Sequence, residues 1–311
     1  MQAFVIHQFG GPEVLQYQPL PVPELKPGEV LVKTAAAGIN PIDWKTCSGG
    51  GASAFIGNLP FVPGWEFSGT IVNGNGTQWQ AADPVFGMIR FPEPAGCYAE
   101  YIAVPADQIA RVPDIVELEE AGGLATASLT AWQALFDKGE LKSGQCVLVL
   151  GAAGGVGHLA VQLAKWAGAH VLGTASMHNH EFLGDLGVDR VIDYQHKRLP
   201  EHAKDVDLII DCIGGETGIE ALQCLKPDGR LVTLPSVTKD IVAEAGKAQN
   251  RYVEAIRVAP SAAQLEQIIG LYADDILHLQ MSGSYRPDQL DEAFELSATG
   301  HVCGKLVLSF T

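Results

Sequence analysis

Gly151, Gly154, Gly155 and Gly157 crowd into the segment GAAGGVG. Glycines at that density let backbone N–H groups close on a ligand that side chains would hold away. In the frame G-x-G-x-x-G, Ala152 stands at the first position, Gly154 at the second and Gly157 at the third. Gly154 would let the backbone approach a pyrophosphate, Gly157 would let a helix pack on its strand, and the helix N-terminus would add unpaired donors and a favourable dipole. The backbone of Ala153, Gly154, Gly155 and Val156 is the candidate cradle. Between Lys142 and Lys165 no residue is charged and a membrane-length apolar window could be drawn, but clustered glycines suit a tight turn better than a membrane helix.

The next strand should choose between dinucleotides. A carboxylate about 20 residues after the first glycine would accept the ribose hydroxyls of NAD and repel a 2′-phosphate. Here the segment reads LGTASMHNHE, with Thr174, Ser176 and His178 and no acid before Glu181. That composition favours NADPH over NADH, with the Ser176 hydroxyl, nearby backbone donors and His178 as phosphate contacts. No Arg or Lys stands at the strand end; Lys197 or Arg198 would reach only if the loop after Tyr194 folds back.

These residues need a frame to hold them. The apolar run Cys146 to Leu150 predicts a strand, and Val156, Leu159, Ala160, Leu163, Ala164 and Ala167 form one apolar stripe on a helix beginning at Gly155. Further strands are expected at HVLGTA, RVIDY, DLIID and RLVTLP, alternating with helical patterns, which is the signature of a parallel sheet covered on both faces. The first hundred or so residues differ: short β-like runs such as EVLVKTAAA and CYAEYIAVP sit among Pro and Gly, and helical spacing takes over near VPDIVELEEAGG.

Composition narrows the classes of function. With 311 residues, 47% of them hydrophobic, the chain has material for two cores. A net charge of −16 repels an extended polyanion, so nucleic acid is excluded as the main partner. The six cysteines show no C-x-x-C pair or regular spacing, the pattern of a reducing compartment, and MQAFVIHQFGG reads as a first strand rather than a signal peptide; a cytoplasmic protein is expected.

Taken together, the segments GGPEVLQ, AAAGINPIDWK, VPGWEFSGTIV, AEYIAVP, LTAWQAL, GAAGGVG, DLIIDCIGG and GHVCGKLVLS resemble the medium-chain dehydrogenase/reductase superfamily, in its zinc-free quinone oxidoreductase-like branch. The resemblance runs almost end to end. It implies an α/β protein with a GroES-like, partly barrelled β domain built from residues 1–118 and 255–311, and a Rossmann domain, a doubly wound parallel sheet, over 119–254. A cleft between the domains and a homodimer are implied as well. By resemblance, Asn40 would stand beside the nicotinamide, Lys45 would steady charge in the same cleft, Thr130 would meet the carboxamide and Tyr194 the adenosine side. Cys212 and Ile213 with Leu234, Pro235 and Ser236 would border the nicotinamide half, and Gly304 and Lys305 would return to it.

The departures from the family's zinc enzymes matter. Where those have a Cys and a His, this chain has Asn40 and Trp65, and neither an amide nor an indole replaces a thiolate or imidazole. No zinc is expected; Cys97 and Glu66 are stray ligand types. Without a Lewis acid the chemistry should need little acid catalysis, as in hydride transfer from NADPH to a quinone or to the C=C bond of an α,β-unsaturated ketone or aldehyde. Residues 48–61 would form a flap, with Phe55, Ile56 and Phe61 as apolar contacts. The competing expectation is an NADPH-binding protein with little turnover.

Overall fold

A computed structural model describes residues 1–311. Contacts divide the chain into one unit of Met1–Leu129, Ala259–Asp275 and Met281–Thr311 and a second of Thr130–Val258 and Ile276–Gln280. The expected divisions at 118/119 and 254/255 therefore fall at 129/130 and 258/259. The composition changes where helical spacing begins, whereas the change of unit falls inside the helix Ala125–Trp132.

The first unit is built on β1 (Gln2–Val5), β2 (Gln16–Pro19), β3 (Glu29–Ile39), β4 (Glu66–Asn73), β5 (Pro84–Met88), β6 (Tyr101–Pro105) and β7 (Ile109–Arg111). The C-terminal stretch adds two more strands, numbered after the six of the second unit: β14 (Met281–Tyr285) and β15 (Lys305–Ser309). Strand β3 organises the sheet by pairing antiparallel with β4, β6 and β15. Its first half alternates, with Val30 and Val32 buried and Lys33 exposed; from Ala35 to Ile39 every residue is buried, so the strand passes from a surface into a core. That core gathers Phe4, Ile39, Trp65, Tyr98, Phe294 and Leu306.

The second unit is one parallel sheet in the order β10-β9-β8-β11-β12-β13. Its strands are β8 (Cys146–Leu150), β9 (His170–Ala175), β10 (Arg190–Asp193), β11 (Val206–Asp211), β12 (Leu225–Thr233) and β13 (Tyr252–Ala255). Val147 to Leu150 are fully buried, as a strand covered on both faces requires. The order reverses between β8 and β11, which opens a crevice beyond their carboxyl ends. The helix after β8 runs Gly157–Trp166 and begins two residues later than the expected Gly155. Residues His158 to Ala164 are all buried, so this helix is covered nearly all round rather than along one stripe; Val156 and Ala167 lie outside it and are partly exposed. No helix is long and apolar enough to cross a membrane.

Candidate active site

In the first unit, the turn from β3 into the helix Pro41–Cys47 positions Asn40. Asp43 reaches back so that Asn40's own N–H donates to its Oδ2 at 2.7 Å, and Pro41 presets the first helical residue. The amide of Asn40 is left to face the core. Its Nδ2 donates to Glu66 Oε1 at 2.7 Å, Lys305 Nζ donates to its Oδ1, and Lys305 Nζ also donates to Glu66 Oε1 at 2.9 Å. Thr126 N–H donates to the other Glu66 oxygen. Glu66 and Lys305 are 0% and 3% exposed, so this is a buried ion pair whose charges are matched by hydrogen bonds. Gly38 makes room for it, since a Cβ there would strike the Glu66 carboxylate.

Asp43 adds a second acid to this pocket. It is fully buried, its Oδ1 has no partner, and burial pushes its carboxyl up to about 7 against the Asn40 N–H, which holds it down. The Tyr98 hydroxyl donates to the Gly38 carbonyl at 3.2 Å. Lys45 stands apart: it has no ion pair with Asp43, its ammonium lies 5.3 Å from the centre of the Trp44 ring, and burial holds its pKa below the usual value. The lysine on Asn40 is Lys305, from the far end of the chain.

In the second unit, Gly151 takes φ +67° directly after β8, and Thr174 of β9 braces it by accepting the Gly151 N–H on Oγ1 at 3.0 Å. Its carbonyl accepts the Ala152 N–H at 2.9 Å. A Cβ on Gly157 would collide with the Gly151 carbonyl, whereas one on Gly154 would meet nothing nearer than 3.4 Å. Gly157 is thus a packing glycine and Gly154 faces open space. The N–H groups of Ala153, Gly155 and Val156 have no acceptor within the chain. Unpaired donors around an open glycine fit the phosphates of a dinucleotide.

The remaining candidates differ in burial and in what holds them. Ser176 is buried, and its Oγ lies 3.1 Å from Nδ1 of the exposed His178. Thr174 is a brace, with its hydroxyl spent on Gly151. Ile213 is exposed beside the turn, close enough that a Cβ on Gly151 would touch its Cδ1; Cys212 lies just behind it. Asp211 Oδ1 fixes that loop by accepting the N–H groups of Ile213 and Gly214, while Thr233 Oγ1 donates to its Oδ2. Leu234, Pro235 and Ser236 follow β12 directly, Tyr194 is exposed after β10, and Thr130 is buried in its helix. Gly304 precedes β15 at φ +80° and sets the entry of Lys305. Arg198 points to Glu220 at 3.9 Å rather than back toward Ser176. Of the three apolar flap residues, Ile56 and Phe61 are buried in the core and only Phe55 is exposed, because Phe61 pairs with Ile6 through backbone hydrogen bonds.

The ends of this site that sequence reasoning missed are Tyr98 and the roles of Glu66 and Asp43. One signal was available: an acid in the otherwise apolar strand WEFSG calls for a buried cation.

Residues 26–114 match the alcohol dehydrogenase GroES-like domain and residues 186–308 match the zinc-binding dehydrogenase domain. The residues present do not fit zinc. No three His, Cys, Asp or Glu side chains gather, both oxygens of Glu66 are engaged, and burial keeps the Cys97 thiol well above its usual pKa. A mitochondrial NAD(P)H oxidoreductase of Danio rerio, RTN4IP1, is 31% identical over 99% of this chain and 91% of its own length. A 2-methylene-furan-3-one reductase of Solanum lycopersicum is 32% identical over 99% of this chain and 79% of its own. Among solved structures, the quinone oxidoreductase from Coxiella burnetii matches with TM-score 0.96 and 38% identity, covering 100% of this chain and 99% of that one. The Escherichia coli quinone oxidoreductase, solved with NADPH, matches with TM-score 0.87 and 25% identity over 99% of this chain and 100% of that one. With relatives this similar along nearly its whole length, the chain is an oxidoreductase that belongs to the medium-chain dehydrogenase/reductase superfamily, in its quinone oxidoreductase-like branch.

Proposed function

We propose that this protein is an NADPH-dependent reductase that delivers hydride, without a metal, to a quinone or to the C=C bond of an α,β-unsaturated ketone or aldehyde. The observation that carries the reading is the Asn40–Lys305–Glu66 network: Asn40, which by resemblance takes the place of a cysteine ligand in the superfamily's zinc enzymes, has its amide held by Glu66 and Lys305 instead of by a metal. The names of the tomato reductase and of an Arabidopsis thaliana NADPH-dependent alkenal/one oxidoreductase, 31% identical over 99% of this chain, support the same chemistry.

The dinucleotide would supply the hydride. The chain's part is to bind and orient. Ala153, Gly155 and Val156 offer N–H groups to the pyrophosphate, and Ser176 with His178 offers hydrogen bonds to a 2′-phosphate with no nearby acid before Glu181 to repel it. Asn40, its amide fixed by Glu66 and Lys305, would stand beside the nicotinamide as the family resemblance implies. As hydride reaches the β-carbon, negative charge grows on the substrate's carbonyl oxygen. The Lys45 ammonium, unpaired and partly desolvated, is the group best suited to meet it, and solvent delivers the final proton.

The test is steady-state oxidation of NADPH and of NADH by chelator-treated protein with one quinone, one alkenal and one conjugated ketone. Turnover should survive chelation, with kcat/KM about tenfold or more higher for NADPH, as one charge-assisted phosphate contact allows. Preference for NADH would overturn the reading of Ser176. NADPH binding without reduction of any acceptor would overturn the reductase.

A further inference from the structure

His158, the second residue of the dinucleotide helix, is fully buried yet polar. Its ring makes two hydrogen bonds of opposite sense. Nδ1 lies 2.9 Å from the Gly154 carbonyl, which can only accept, and Nε2 lies 3.2 Å from the Gln280 N–H, which can only donate. Together they fix a neutral imidazole with its proton on Nδ1. The Gly154 carbonyl also accepts the His158 backbone N–H at 3.0 Å, so one residue holds that oxygen twice.

The consequence follows from peptide geometry. In a trans peptide the C=O and the following N–H point in opposite directions. Pinning the Gly154 carbonyl onto the helix start therefore turns the Gly155 N–H away from it, and that donor has no acceptor in the chain. Glycine would otherwise let this peptide rotate easily. The ring's far side is held by the segment 276–280, whose His278 N–H and carbonyl both bond Gln162 of the same helix.

We infer that His158 is a positioning residue for dinucleotide binding: through the Gly154 carbonyl it fixes the peptide that aims the Gly155 N–H at the cofactor's phosphate. The inference rests on the reading of this turn as a dinucleotide site. It assigns a role to a side chain that touches no cofactor itself.

Three variants separate this role from packing. In His158→Asn the amide nitrogen stands where Nδ1 stood and keeps the bond to Gly154; in His158→Gln the amide reaches the Nε2 position and keeps only the bond from Gln280; His158→Leu keeps neither. Dissociation constants for NADPH and NADH are measured by titration of nucleotide fluorescence, with thermal unfolding of each unliganded protein alongside. The expected result is a Kd for His158→Asn within about twofold of wild type and a rise of about five- to tenfold for Gln and Leu, the worth of one hydrogen bond. KM for the nucleotide should rise with kcat at saturation unchanged. Should the Leu variant fail to fold, the contrast between Asn and Gln decides. Equal affinities in Asn and Gln, or affinity that follows thermal stability alone, would overturn the inference and leave the dinucleotide site standing. Wild-type protein that binds neither nucleotide would overturn both.

Discussion

Asp43 holds its proton unusually tightly for a carboxyl, because it is fully buried in the first turn of the helix Pro41–Cys47. Its carboxyl is buried with Oδ1 unpartnered, and its pKa is pushed from 3.8 to about 7, so the folded protein keeps a proton that the unfolded chain releases. The fold binds more protons than the unfolded chain across that window, and its stability contribution is lost as pH rises through it. Asp43→Asn mimics the protonated acid and still accepts the Asn40 N–H. The wild-type melting temperature should therefore fall relative to the variant from about pH 4 to about pH 7 and run level with it above that. Parallel curves in a pH series of thermal melts would show that Asp43 ionises without cost. Little of this pocket was legible beforehand. Asn40 and Lys305 were brought to one cleft by family resemblance alone, since 265 residues separate them and no local pattern reports a contact of that range. Lys45, close in sequence to Asn40, has its ammonium 5.3 Å from the centre of the Trp44 ring.

The strand–turn–helix element was the most legible part because its signals are local: an apolar run, glycines, then a helical apolar pattern. Its boundary was not, since the helix starts at Gly157 and leaves the preceding residues in a turn with open N–H groups. Nor did spacing reveal that the chain widens into a π-helix over Gln133–Lys138. The two glycines of the turn make an opposed pair of tests. Gly157→Ala forces a methyl onto the Gly151 carbonyl and should destabilise the fold by about 1–3 kcal/mol in urea unfolding. Gly154→Ala finds room and should leave stability within about 0.5 kcal/mol, while raising the nucleotide Kd by about tenfold or more because the methyl enters the open face. A Gly154→Ala protein with unaltered nucleotide affinity would move the phosphate away from this turn.

At the scale of the molecule, 20 basic and 36 acidic side chains give a field that opposes an anionic cofactor. Salt screens such a field, so the association rate for NADPH in stopped flow should rise between about 10 and 200 mM salt, and rise less for NADH, which lacks the third phosphate. A rate that falls with salt would reveal a local positive funnel stronger than the net charge. The two-part organisation was legible in the change of texture along the chain, but the short return of residues 276–280 to the second unit was not, because five residues carry no period. That return bears on how the chain can be cut. A fragment ending at Val258 would keep every strand of the parallel sheet yet strip the His278 backbone from both ends of the Gln162 amide and the Gln280 N–H from His158. An excised nucleotide unit would need this pentapeptide spliced back on to keep those bonds, because the unit is discontinuous along the chain.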